Sequence, residues 1–156
     1  MAESSSAGSV DQRGRAVQWG LTDVLLFGLT ITATVLIALQ FALAGYGAFT
    51  MDRSPTVNAY AAHTIVGLAI GLFTLLILVA VVISRSARAH RRSVVLAVAL
   101  AVLAVAVQPV LGNAGIQVPP LGALHALNGV AIFSVTCWLA IETGLRRAAA
   151  RKHLTS

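Results

Sequence analysis

Residues 93–141 read SVVLAVALAVLAVAVQPVLGNAGIQVPPLGALHALNGVAIFSVTCWLAI and contain no Asp, Glu, Lys or Arg. One helical crossing of a bilayer needs about 20 apolar residues, so this stretch is long enough for two crossings. The residues that interrupt its middle favour turns and helix starts, and they are Gly112, Asn113, Gly115, Pro119, Pro120 and Gly122. Two membrane helices, near 93–111 and 121–143, are therefore predicted here.

Two further stretches without charged residues, 24–51 and 54–84, precede this one. Each is long enough for one crossing, which predicts helices near 21–43 and 57–83. The whole chain is 58% hydrophobic and only 10% charged, a composition that excludes an ordinary soluble domain. The expected fold is all-α, a polytopic membrane four-helix bundle made of two tandem helical hairpins.

The ends of the chain are polar and are expected to lie outside the bundle. Residues 1–18 are rich in Ser, Gly and Ala and are predicted to form a disordered tail. A signal peptide is not expected there, because the first apolar run begins near Leu21 and has full length. The bundle is assigned to 19–147, and 148–156 is assigned to a basic C-terminal tail.

The distribution of Arg and Lys predicts the orientation in the membrane. Most of these cations lie in three places: the N-terminal tail, the connection between the second and third predicted helices (here the second connection), and the end of the chain after the fourth helix. They are Arg13, Arg15, Arg85, Arg88, Arg91, Arg92, Arg146, Arg147, Arg151 and Lys152. By the positive-inside rule both termini and the second connection are cytoplasmic, and the loops 44–56 and 112–120 face outward. The net charge of +6 accompanies no nucleic-acid-binding motif, so we attribute it to topology and anionic lipid rather than to nucleic acid.

Two matched polar stripes lie in the even-numbered helices. Spacings of four and eleven residues keep each stripe on one helix face, and the stripes are His63, Gly67, Thr74 and His125, Gly129, Thr136. A single histidine near a membrane interface usually makes only a local hydrogen bond, but a matched pair favours a shared ligand. Two ligands suffice for bis-histidine iron in haem, whereas zinc sites need three or four. We therefore expect one haem b with His63 and His125 as its iron ligands.

This haem is expected to be non-covalent. Cys137 is the only cysteine, so the Cys-x-x-Cys-His signature of covalent attachment is absent. The remaining histidines, His90 and His153, lie among cationic residues and are expected outside the bundle.

Five further residues are candidates for the same site. Gly67 and Gly129 could let a flat macrocycle approach the helix backbone, or could serve helix packing alone. Gln40 and Gln108 could donate to a propionate or an imidazole, or could simply bond between helices. Arg53 could pair with a propionate, or could anchor the chain at the interface.

The two halves of the chain look like copies of each other. The first helix ends with Gln-Phe-Ala-Leu-Ala-Gly at 40–45 and leads to His63, and the third ends with Gln-Pro-Val-Leu-Gly at 108–112 and leads to His125. Over about 21–143, and most clearly at 111–127 (LGNAGIQVPPLGALHAL), the chain resembles one four-helix half of the haem A synthase family. Small bacterial four-helix membrane proteins show a similar pattern.

The resemblance implies that His63 and His125 are haem ligands in a bacterial-type, multi-pass cytoplasmic membrane protein. It does not carry over the activity. In that family a Glu four residues before the first ligand histidine is tied to oxidation of a haem methyl group, and Ala59 stands at that position here. The family's outer-loop cysteine pair is also absent, and the chain supplies four helices where the enzymes have eight.

We therefore expect a membrane b-type cytochrome that binds haem near the outer face, for electron transfer or haem handling. The partners are the lipid bilayer and haem, with a redox protein or a quinone left open. One alternative is a half-size haem A synthase-like enzyme acting as a homodimer, so the prediction leans against an enzyme without excluding one. A second alternative is a haem-free membrane subunit or scaffold whose histidines serve packing.

Overall fold

The chain folds almost entirely into helices. The computed structural model describes residues 21–51 and 60–155, and these contain no β-strand. The helices are α1 (Leu21–Met51), α2 (Ala61–Ile83), α3 (Arg85–Arg88), α4 (Arg91–Ala101), α5 (Gln108–Gly115) and α6 (Pro119–Thr155), with a π-helical segment (Val102–Val107) joining α4 to α5. The N-terminal tail, Arg53 and Ala59 lie outside the described residues.

Four helical stretches are long and apolar enough to cross a membrane. These spans are Leu21–Thr50, Ala61–Ile83, Arg91–Gly115 and Pro119–Ala149. The prediction of four helices that are long and apolar enough to cross a membrane is confirmed. The third span comprises α4, the π segment and α5.

Three helix ends differ from the sequence-based prediction. Helix α1 continues through 44–51, the third span continues to Gly115, and α6 continues to Thr155. An unpaired backbone group in an apolar medium costs several kcal/mol, whereas a glycine inside a helix costs about 1 kcal/mol, so glycines alone do not end these helices. The turn between the last two spans shrinks to 116–118, and α6 begins at Pro119, two residues before the predicted start near 121 but with the proline start that the sequence indicates.

The spans pack around one apolar core. Helix α1 contacts α2 and α6, α2 also contacts α4, and the third span contacts α6. The largest fully buried apolar side chains are Leu26, Ile77, Leu100 and Leu139. Many other large apolar side chains point outward, as Leu68 does with 73% of its surface exposed. An apolar exterior of this kind suits lipid contact.

Polar side chains join the helices at the end of the bundle away from the two histidines. Ser84 donates to Asp23 over 2.7 Å, which connects the end of α2 to the start of α1. Ser93, at the start of α4, donates to Glu142 of α6 over 3.1 Å. Buried polar groups need such partners, and these contacts therefore hold the helix ends in register. We call this end the acidic end and the opposite one the histidine end.

Candidate haem site at the histidine end

His63 and His125 face each other inside the bundle. His63 lies in the first turn of α2 and His125 in the second turn of α6. Their ring centroids are 6.3 Å apart and the ring planes are inclined at 54°. The structure thus brings together the two histidines that the sequence pattern matched.

Each imidazole is bound to the main chain of the preceding span. Nδ1 of His63 lies 3.3 Å from the carbonyl oxygen of Gln40, and Nδ1 of His125 lies 3.0 Å from that of Gln108. A carbonyl oxygen can only accept, so Nδ1 carries the hydrogen and Nε2 carries the lone pair. Metal-binding histidines commonly use this arrangement, because the bond at one nitrogen orients the ring and leaves the other free to coordinate.

The side chains of the two glutamines are placed differently. The Gln40 amide donates to the carbonyl oxygen of His63 over 2.8 Å, and its Oε1 is buried without a hydrogen-bond partner among the described residues. The amide nitrogen of Gln108 instead lies 3.2 Å from Nε2 of His125. The two halves of the site therefore match in their main-chain contacts but not in their side-chain contacts.

A partly open cavity of about 130 Å³ lies between the two imidazoles and the helices around them. Apart from the two histidines and the two glutamines, its wall is small or apolar, and consists of Ile37, Phe41, Ala44, Gly67, Ile70, Ala104, Ala126, Gly129 and Ile132. Gly67 and Gly129 lie in the wall, where a Cβ atom would lie 3.2 Å from Nε2 of Gln40 and 3.4 Å from Cε1 of Phe41, so side chains of α1 pack on both glycines.

Gly112 also belongs to the site, although the sequence pattern assigned it to a turn. A Cβ atom at this position would lie 3.0 Å from both Nδ1 and Cε1 of His125. The His125 ring therefore packs directly on the backbone of α5. The only sequence signal was the spacing of four residues from Gln108 to Gly112, which places both on one helix face.

Asn128 is a second residue that the sequence analysis did not select. It lies three residues after His125 and is only 9% exposed. Its amide donates to the carbonyl oxygen of Leu103 over 3.1 Å and to Oε1 of Gln108 over 2.5 Å. A polar residue one turn beyond a candidate ligand was the available signal.

The other polar residues near the stripes have different surroundings. Thr74 and Thr136 are fully buried, but their hydroxyls donate to Gly71 and Ile132 of their own helices. The hydroxyl hydrogens of both threonines are thus used within their own helices. His90 is exposed at the acidic end, in agreement with its expected position outside the bundle.

The arrangement offers two nitrogen ligands and no cluster of anionic ones. Among residues 21–51 and 60–155, no three His, Cys, Asp or Glu side chains come together as a metal site. Comparisons with protein-family models, with curated proteins and with solved structures found no match. The resemblance to the haem A synthase family therefore remains an expectation based on short motifs.

Proposed function

We propose that the protein is an integral membrane cytochrome that binds one non-covalent haem b between His63 and His125. The observation that carries this proposal is the mirrored pair of imidazoles, each with Nδ1 on a main-chain carbonyl oxygen and both facing one cavity. The task that suits such a site is electron transfer or haem handling.

The donor set supports haem over other metal groups. A metal held by two opposed imidazoles, with metal–nitrogen bonds of about 2 Å, keeps the ring centroids roughly 6 Å apart. The observed centroid separation is 6.3 Å. Zinc sites need three or four protein ligands, and the described residues place no third His, Cys, Asp or Glu there.

The surrounding residues also suit a flat apolar group. Gly67 and Gly129 contribute no side chains to the parts of the wall formed by α2 and α6, and Phe41 adds an aromatic surface. The cavity of about 130 Å³ is close in size to an engineered cavity of about 150 Å³ that takes up benzene. A porphyrin is larger than this cavity, so the Gln108 amide that faces Nε2 of His125 and side chains of the apolar wall would have to move when it binds.

The protein residues supply ligands, orientation and an apolar surround. His63 and His125 would hold the haem iron, the main-chain carbonyl oxygens of Gln40 and Gln108 hold the two rings in place, and the apolar wall limits access of water. A haem bound by two histidines exchanges single electrons without an open iron position. Gln40 lines the cavity, and its Oε1 is buried without a hydrogen-bond partner among the described residues.

We also propose that the four spans form two tandem hairpins in the cytoplasmic membrane of a bacterial-type cell, with both termini inside. This orientation rests on the cations. Arg85, Arg88, Arg91, Arg92 and Arg146 all lie near the acidic end, where the positive-inside rule requires the cytoplasm. The histidine end then faces outward, where a redox protein or a membrane quinone could exchange electrons with the haem.

Titration of haem into the purified apo protein in detergent tests the proposal. Wild-type protein should take up one haem per chain with a six-coordinate, low-spin spectrum. His63→Ala and His125→Ala should bind more weakly or give a high-spin spectrum, because each removes one axial ligand. His90→Ala is the matched control and should behave like wild type. Identical spectra from all three variants would contradict the ligand assignment.

A further inference from the structure

The polar groups around His125 form one chain of hydrogen bonds. The carbonyl oxygen of Leu103, at the end away from His125, determines which group donates in each bond. The carbonyl oxygen of Leu103 can only accept, so the Asn128 atom facing it is the NH2 group. The same NH2 group donates to Oε1 of Gln108, which turns the NH2 group of Gln108 toward His125. Nε2 of His125 must then accept, and Nδ1 must carry the hydrogen that it donates to the carbonyl oxygen of Gln108.

We infer that Asn128 is a positioning residue: by orienting the Gln108 amide it adds a second constraint, beside the Gln108 carbonyl oxygen, on the His125 tautomer whose Nε2 can bind a metal. Asn128 does not touch the cavity, so it acts only through the groups it orients. The inference rests on the proposed function for its purpose, but the hydrogen-bond chain itself can be tested in protein without haem.

The π segment explains why Gln108 lies where Asn128 can reach it. Pro109 has no N–H group, and its ring crowds the carbonyl of the residue four positions back, Val105. The backbone widens there, and the N–H of Gln108 bonds to the carbonyl oxygen of Leu103, five residues back. The extra residue in this turn rotates Gln108 by about 100° relative to a regular α-helix. Asn128 binds both ends of the turn, Leu103 and Gln108.

The described residues around His63 have no counterpart of Asn128, of Pro109 or of the π segment. Val66 stands three residues after His63, where Asn128 stands after His125, and Phe41 follows Gln40 where Pro109 follows Gln108. Helix α1 is α-helical throughout, and the Gln40 amide donates to the main chain of His63 rather than to its ring. Among the described residues, the His63 ring therefore has one hydrogen-bond partner, the Gln40 carbonyl oxygen at 3.3 Å. His125 should be the fixed ligand and His63 the exchangeable one.

Nitrogen NMR of the apo protein, labelled with ¹⁵N at its histidine imidazoles and measured at alkaline pH, tests this inference. The chain has four histidines, which single substitutions assign. In wild-type protein we expect the His125 signals of one fixed tautomer, with hydrogen on Nδ1. Asn128→Leu removes both donated bonds and should shift the His125 signals toward a mixture of tautomers. The His63 signals should stay in place.

Val66→Leu is the matched control, because it changes the equivalent position next to His63 and should leave His125 unchanged. Asn128→Ser, whose hydroxyl can donate to only one of the two acceptors, should give an intermediate His125 shift. Gln108→Met removes the intermediate amide and should reproduce the effect of Asn128→Leu with Asn128 intact, which covers the case in which Asn128→Leu fails to fold.

Unchanged His125 signals in Asn128→Leu or in Gln108→Met would overturn the positioning role. The outcome is independent of haem. If the wild-type protein takes up no haem but the His125 tautomer still depends on Asn128, the hydrogen-bond chain stands and the proposed function falls. If haem binds and the tautomer does not depend on Asn128, the proposed function stands and this inference falls.

Discussion

The two histidines are equivalent in the sequence pattern but not in their surroundings. Both bind a main-chain carbonyl oxygen through Nδ1, but only His125 is also contacted at Nε2 by a glutamine amide in the described part of the chain. His125 also packs on a glycine backbone, at Gly112. The sequence could select the histidines because a polar residue in an apolar span is costly and therefore conspicuous. The weaker signals for Gly112 and Asn128, their spacings from Gln108 and His125, did not single them out, because their roles depend on contacts between helices.

Gly112→Ala should weaken haem binding. The added methyl group would lie 3.0 Å from two atoms of the His125 ring, so the ring must shift by a few tenths of an ångström away from its bond with Gln108. Crowding of this kind costs about 1–3 kcal/mol. Haem titration of the purified protein would show it as a lower affinity or a larger high-spin fraction.

Gly45→Ala is the control for that measurement, because a Cβ at Gly45 meets no atom of the described residues within 4 Å. It should bind haem as the wild type does. If Gly112→Ala and Gly45→Ala bound haem equally well, the packing of His125 on α5 would not matter for the site.

The apolar runs predicted the number of membrane-spanning helices, but they did not predict the residues at which these helices end. A loop was predicted at 44–56, but α1 continues to Met51, because no proline between 44 and 51 removes an N–H group. Pro109 lacks an N–H group, but the third span does not end there. It contains the π segment instead. The sequence contains the cause of that segment, but its position and its bonds to Asn128 appear only in the folded bundle.

Gly115→Ala should destabilise the turn between the third and fourth spans. A Cβ on Gly115 would lie 2.6 Å from Cα and 2.7 Å from N of Gly122, and these are backbone atoms that cannot turn aside. The expected loss is about 1–3 kcal/mol, measured as a lower thermal unfolding midpoint in detergent.

Gly122→Ala provides the matched comparison, because its Cβ would meet the Gly115 carbonyl oxygen at an ordinary 3.6 Å. It should be tolerated, and the better helix propensity of Ala contributes up to about 1 kcal/mol in its favour. Equal midpoints for the two variants would show that the helices do not approach each other so closely at this turn.

Across the whole molecule, the described charged side chains and the cavity lie at opposite ends of the bundle. The acidic end gathers Asp23, Glu142 and many of the arginines, including Arg92, whose guanidinium lies 4.2 Å from the Trp138 ring centroid. The histidine end gathers the cavity and the turn at 116–118. The all-α membrane fold was predictable because apolar runs of this length without a charge are typical of membrane helices. The orientation in the membrane rests on the cations alone and stays a prediction.

Cysteine labelling should test that orientation in a Cys137→Ala background. Gln117 lies in the turn at the histidine end, and Ala89 lies between α3 and α4 at the acidic end, and both are exposed. A reagent that cannot cross the membrane should label Gln117→Cys in intact cells, and should label Ala89→Cys only after permeabilisation. The reverse pattern would place the histidine end at the cytoplasm.

The central claim is that His63 and His125 together hold one haem. The most direct measurement is the haem content and absorption spectrum of the protein purified from haem-replete cells, with extraction to show how the haem is attached. We expect one extractable haem b per chain, with the sharp reduced bands of six-coordinate, low-spin iron. Colourless protein, or a haem whose spectrum is unchanged when both histidines are replaced by alanine, would contradict it.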